Sequence, residues 1–238
     1  MKKFVKIISF LLCLILSLAI FPACDNNQVP DEHECLKFIK SANGKEYTVL
    51  EKEFCDCAEI IIPSYIEDIK VSAIGEKAFY KCAELTKISI PRTVTSIGQS
   101  AFVDCINLKN LTVPSTITTW SAYCFASMGI ENLTLETGLK EIGAYSFYYC
   151  ESLTEVTIPN SVKTIGSSAF SGCSGMSKLT IGSGVTSIES GAFDGCGILQ
   201  EIFYIGTIEN WNKIEKGSAW NWQVPALYVI CTDGIVDI

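Results

Sequence analysis

Hydrophobic residues return along this chain with a period close to 23. Phe79, Phe102, Phe125, Phe147, Phe170 and Phe193 are separated by 23, 23, 22, 23 and 23 residues. Other columns move in step with them. Five residues before each Phe stands Ile74, Ile97, Trp120, Ile142, Ile165 or Ile188. Six after it stands Leu85, Leu108, Leu153, Met176 or Leu199, with Ile130 one place early in the short repeat. Then come Ile88, Leu111, Leu133, Val156, Leu179 and Ile202, and two residues further on Ile90, Val113, Leu135, Ile158, Ile181 and Tyr204. Val94, Ile117, Leu139, Val162, Val185 and Ile208 close the unit. Self-similarity at this period predicts a solenoid in which each unit buries its apolar face only against its neighbours.

Within a unit, Leu-x-x-Ile-x-Ile-Pro alternates apolar and polar positions, which predicts a short strand with its apolar residues inward. Strands of successive units can pair only in parallel, so every column becomes a ladder and the Phe column its spine. Gly75, Gly98, Gly143 and Gly166 follow the Ile column and suit a sharp turn; Pro91, Pro114 and Pro159 end their strands. The third repeat departs from the others, with Trp120, Ser121, Cys124 and Met128 at columns of Ile, Gly, Ala and Cys, and it is one residue short. A local bend with compensating packing is the expectation there, a ligand notch the alternative.

The ends read differently. Residues 36–59 carry two apolar runs around Asn43-Gly44, a hairpin signal, and form an expected N-terminal cap. The repeats span residues 60–203, with five extra residues lengthening a loop before Ile74. Residues 204–238 are Trp-rich and predict a C-terminal cap over the open end of the core, with Trp211 in the Ile column and Trp220, Trp222 and Tyr228 beside it; an aromatic platform for a sugar or peptide is the alternative. At the start, Lys2, Lys3 and Lys6 precede an apolar run and then Ala23-Cys24. Ala23-Cys24 at the end of that run resembles a bacterial lipobox, so residues 1–23 read as a lipoprotein signal peptide and Cys24 as the lipidated residue, with an ordinary secretory signal as the alternative; residues 24–35 read as a flexible acidic tether.

Loss of residues 1–23 removes three Lys and takes the net charge from −8 to −11. So acidic a chain argues against nucleic acid and anionic lipid as partners, and leaves a lipid anchor as the only expected membrane contact. Of the 12 Cys, Cys82, Cys105, Cys150, Cys173 and Cys196 form one repeat column in which Met128 substitutes, so they read as buried, reduced small hydrophobes. Cys35, Cys55, Cys57 and Cys231 lie outside the period and are candidates for disulfides. The single His, His33, stands in the tether, so no Cys-His or Ser-His-acid pair is available to the solenoid. His33 with Cys35, Cys55 and Cys57 has poor spacing for zinc, and no metal, cofactor or small-molecule substrate is expected.

The outward columns of the strands carry what functional content the pattern shows. One holds Lys87, Asn110, Asn132, Glu155, Lys178 and Glu201, the other Ser89, Thr112, Thr134, Thr157, Thr180 and Phe203. Both also read as soluble, well-pairing residues without a ligand. They offer no aromatic row for stacking on a glycan. A long polar face suits a protein surface better than a small molecule.

The unit AFxxCxxLxxLxIPxxVxxIG resembles the BspA-like leucine-rich repeat family over residues 60–211, and Glu209 to Gly217 with Cys231-Thr232-Asp233-Gly234 looks like a tail of that family. The resemblance implies an α/β solenoid, a leucine-rich-repeat horseshoe or arc with a parallel sheet on one side and little helix. It also implies a non-enzymatic, surface-attached bacterial protein that binds a host matrix or cell-surface protein. Lys87, Asn110, Asn132, Glu155, Thr157, Lys178 and Glu201 are then the candidate contact residues, and a structural envelope spacer is the alternative.

Overall fold

The computed structural model describes residues 36–50 and 57–238. The signal and tether readings, with Cys24, His33, Cys35 and Cys55, lie outside those residues. The described chain is a succession of strand, turn, strand and turn, repeated along one axis, and two sets of parallel strands form its sides.

One side is the expected sheet. Strands Asn110–Val113, Asn132–Leu135, Glu155–Ile158, Lys178–Ile181, Glu201–Tyr204 and Tyr228–Cys231 pair in parallel, and Gly234–Asp237 closes the sheet antiparallel. Ahead of them Glu59–Ile61 pairs in parallel with Lys87–Ser89. The register keeps each column intact: Leu133 lies beside Leu111, and Val156, Leu179 and Ile202 run in line. Alternation does the sorting, because Asn110–Val113 and Glu155–Ile158 bury every second residue and expose the others.

The opposite columns form strands as well. Ile69–Ile74, Ser96–Ile97 and Thr119–Trp120 make one parallel run, and Glu141–Ile142, Thr164–Ile165, Ser187–Ile188 and Glu215–Lys216 make another. Sequence reading placed only a turn here. Gly98 is needed not for left-handed backbone but for closeness: a Cβ on it would strike the backbone of Gly75 and Glu76 in the preceding coil.

The gap between the two runs falls at Trp120. Ile74, Ile97, Ile142, Ile165 and Ile188 are buried to 1% exposure or less in this column, whereas Trp120 is only half-buried. Its Cβ and Cγ press on Gly143, and its ring meets Phe125 and Phe147 edge-on at 6.2 Å each. An indole does not fit an Ile-sized slot, so coil and coil part there, and the indole N–H is buried without a partner among the described residues. The missing residue of this repeat is absorbed elsewhere, at Gly129, where a Cβ would strike the carbonyl of Ile106.

Between the sheets runs the Phe ladder. Ring centroids of successive anchors lie 4.9, 5.2, 5.4, 5.1 and 5.5 Å apart, at interplanar angles of 20° down to 1°. That spacing is close to the separation of neighbouring strands, so one ring per coil stacks without strain. Each Phe is at most 2% exposed. Its N–H reaches the next coil, as from Phe79 to the Ala101 carbonyl at 2.7 Å.

At the N-terminal side Lys37–Lys40 and Glu46–Leu50 form an antiparallel hairpin around Asn43 and Gly44, and its second strand pairs in parallel with Ile69–Ile74. The five extra residues are not an open loop. They tighten into a hairpin of Tyr65–Ile66 with Ile69–Ile74, turned by Glu67 and Asp68 at φ 47° and 64°.

The C-terminal side is one more coil in disguise. Thr207 caps a helix, Ile208–Asn212, the one helix among the described residues. Sequence reading put Trp211 in the Ile column, but the register puts Lys216 beside Ile188. Trp211 turns in from the helix instead and is 1% exposed. It packs on Tyr204 at 5.4 Å and on Trp220 at 5.9 Å, and Trp220 lies edge-on to the last anchor, Phe193, at 6.4 Å. These two tryptophans cover the core. Trp222 and Tyr228 do not, being 62% and 43% exposed.

The cysteine column divides. Cys105, Cys150, Cys173 and Cys196 are free and buried, but Cys82 is disulfide-bonded, as is Cys57. The expectation that Cys82 is a reduced core residue is therefore corrected. It stands in the first anchored coil. Cys231, a disulfide candidate by spacing, is free and buried.

Candidate functional site

The outward rank begins with a pair: Lys87 Nζ lies 3.2 Å from the Glu59 carboxylate. Both side chains are well exposed, so the pair contributes little to stability. Asn132 Nδ2 donates to Asn110 Oδ1 at 3.0 Å, joining two coils. Asn132 is in register with Glu155, Glu155 with Lys178, and Lys178 with Glu201. The structure thus places Asn110, Asn132, Glu155, Lys178 and Glu201 in one line, with Lys87 on the shorter strand pair before it. Thr157, exposed, lies beside Thr180 in the second rank.

Lys178 lies between two acids, and its Nζ sits 5.4 Å over the ring of Phe203. Thr154, Glu155, Ser177, Lys178, Gln200 and Glu201 line an open hollow at this place. Beyond it the face changes character. Phe203 is followed in register by Ile230 and then Ile235, which is 61% exposed, and Tyr228 stands at the edge of the same strand. A polar ladder therefore ends in an apolar corner of Phe203, Tyr228, Ile230 and Ile235. Sequence reading missed three of these four as face residues. Their signal was the alternation in Tyr228–Cys231, which lies outside the 23-residue period.

Among the described residues the arrangement holds no reactive nucleophile of the cysteine kind. Burial pushes the Cys105, Cys150 and Cys196 thiols up to about 12 and raises Cys124 and Cys173 as well. A thiol so placed stays protonated and inert at neutral pH. Among the described residues no group of three or more His, Cys, Asp and Glu is disposed to hold a metal. What the face can do is bind: rows of donors and acceptors about 4.8 Å apart, beside an exposed apolar anchor.

The model of the BspA type leucine rich repeat region matches this chain in 6 copies, over residues 39–140 and 72–200. The chain is similar to the crystal structure of a leucine-rich repeat protein of T. pallidum, with 25% identity and a TM-score of 0.70, over 83% of this chain and 91% of that one. It is similar in fold to a leucine-rich repeat protein of Bacteroides ovatus, with 20% identity and a TM-score of 0.59, over 87% of this chain and 71% of that one. No curated protein matches.

Proposed function

The chain belongs to the BspA-type leucine-rich repeat family, and on that premise we propose that it is a non-enzymatic binding module displayed outside the cell, with the outward strand face as its contact surface. The observation that carries this reading is the junction of the polar ladder with the apolar corner at Lys178, Glu201, Phe203 and Ile235. Protein interfaces combine a desolvated aromatic or aliphatic centre with a polar rim. Repeat proteins of this type serve as interaction or surface modules, and an extended solenoid side presents such a surface. The partner is a protein of a host matrix or a neighbouring cell surface. Cys24, lipidated, anchors the module to the envelope; Cys24→Ala should shift it from the detergent phase to the aqueous phase of a detergent extract.

The test is binding to immobilised extracellular-matrix proteins. Glu155→Lys with Lys178→Glu, and separately Phe203→Ala with Ile235→Ser, should weaken capture without moving the melt. Exposed charges are screened, so capture should also weaken with salt. Lys163→Glu with Glu141→Lys, on the other sheet, should do little. Equal behaviour of both charge pairs would replace this reading with that of an envelope scaffold. The Thr rank favours that alternative, since β-propensity alone explains it.

A further inference from the structure

Four tyrosines gather on the Phe-turn side of two successive coils. Tyr123 and Tyr145 stand two residues before Phe125 and Phe147, and Tyr148 and Tyr149 follow Phe147. Ring centroids are 4.9 Å apart for Tyr123 and Tyr145, 5.7 Å for Tyr123 and Tyr148, 6.0 Å for Tyr145 and Tyr148, and 4.5 Å for Tyr148 and Tyr149.

The fold does not ask for tyrosine at these places. Tyr123, Tyr145 and Tyr149 have φ of 59°, 57° and 56°, a conformation that a bulky residue adopts only at a cost. Other coils put Lys77, Ser100, Ser168 and Gly191, or Lys81, Asp104, Ser127, Gly172 and Gly195, in the same two positions. The rings do not fill the core, which the Phe ladder occupies. Tyr149 is 47% exposed, and the other three are half-buried. The Tyr149 ring lies over Gly172, where an added Cβ would fall 2.8 Å from Cδ2 and 2.9 Å from Cε2. The coil after the cluster has only Ser168, Ser171 and Gly172 at the matching positions, so little side chain covers the rings.

We propose that this cluster is a binding site for a neutral carbohydrate, separate from the strand face. A pyranose presents a C–H-rich face with hydroxyls at its rim; tyrosine presents an apolar face with an O–H that both donates and accepts. The rings meet at 34°, 81°, 66° and 58°, so they form ring-sized facets rather than one flat platform. Facets of that size fit single sugar rings better than the continuous surface of a folded partner. The four side chains bring no cation for a sulfate or phosphate and no carboxylate for a base, which directs the choice to an uncharged glycan.

The experiment is electrophoresis of the chain through gels containing, one at a time, a soluble β-glucan, a mannan, a xylan and a galactan. At least one should retard the wild type. Tyr149→Gly and Tyr145→Ser should each weaken that retardation about tenfold, while Glu155→Lys with Lys178→Glu leaves it unchanged. Tyr149→Gly should melt at or above the wild type, because glycine adopts this backbone freely. Retardation by none of the four, equal retardation of the tyrosine variants, or a Tyr149→Gly melt well below wild type would each overturn the proposal. Because the strand-face variants are carried alongside, a failure here leaves the protein-binding reading to be judged on its own result.

Discussion

Cys105 Sγ donates a hydrogen bond to the carbonyl oxygen of Phe79, 3.1 Å away in the preceding coil. The same bond joins Cys150 to Phe125 at 3.2 Å, Cys173 to Phe147 at 3.2 Å and Cys196 to Phe170 at 3.3 Å. The thiol thus does two things at once: it packs as a small hydrophobe and satisfies a carbonyl buried beside the Phe ladder. Met128 keeps the packing in the third repeat and gives up the donor. Cys105, Cys150, Cys173 and Cys196 carry no bridge.

Thiol mapping follows directly. Cys105, Cys150 and Cys173 should resist iodoacetamide in the folded protein and react fully after denaturation without reductant. Cys57 and Cys82 should react only once reductant is added. Peptide mass spectrometry reads all five, and a Cys150–Cys173 bridge would contradict the assignment.

Alkaline pH should destabilise the chain through the same residues. The folded thiols of Cys105, Cys150 and Cys196 ionise at about 12 against an ordinary 9.0. The stability tied to their protonated form is complete below that ordinary value. It declines as pH rises toward about 12, because the unfolded chain releases these protons first. Urea melts at about pH 8 and about pH 10 should show the loss. Cys105→Ala with Cys196→Ala should flatten the slope.

Phe147→Ala should cost about 3–5 kcal/mol, as large core truncations do. Thr157→Ala, outward on the next strand, should cost under about 1 kcal/mol. Denaturant melts compare them, and similar losses would mean that the inner and outer columns are reversed.

The C-terminal tryptophans should separate cleanly. Trp220→Ala, which uncovers Phe193, should cost about 3–5 kcal/mol, and amide exchange should quicken first in the coils nearest that end. Trp222→Ala should stay within about 0.5 kcal/mol of wild type.

Why so much of this was legible is a matter of where the contacts lie. In a solenoid nearly every residue touches its equivalents one period before and after it, so a column in the sequence is already a ladder in space. The Phe stack, the inward Leu and Ile ranks and the line from Asn110 to Glu201 could all be read that way.

Residues without an equivalent one period away carry no such signal, and packing alone placed them. In the sequence Trp120 marks a departure from the Ile column with a local bend expected, but only packing decided that the second sheet is interrupted at its coil. Lys216 rather than Trp211 takes the last Ile position, because a short helix intervenes and turns the indole inward. Cys82 shares its column with reduced thiols but stands in the first anchored coil, and there it is disulfide-bonded. Tyr228, Ile230 and Ile235 reach the strand face only because the final hairpin adds to the edge of the sheet. The period determined the ladder. Where the ladder ends or is interrupted, each side chain settles by the size of the slot left to it and by which backbone groups still need a partner.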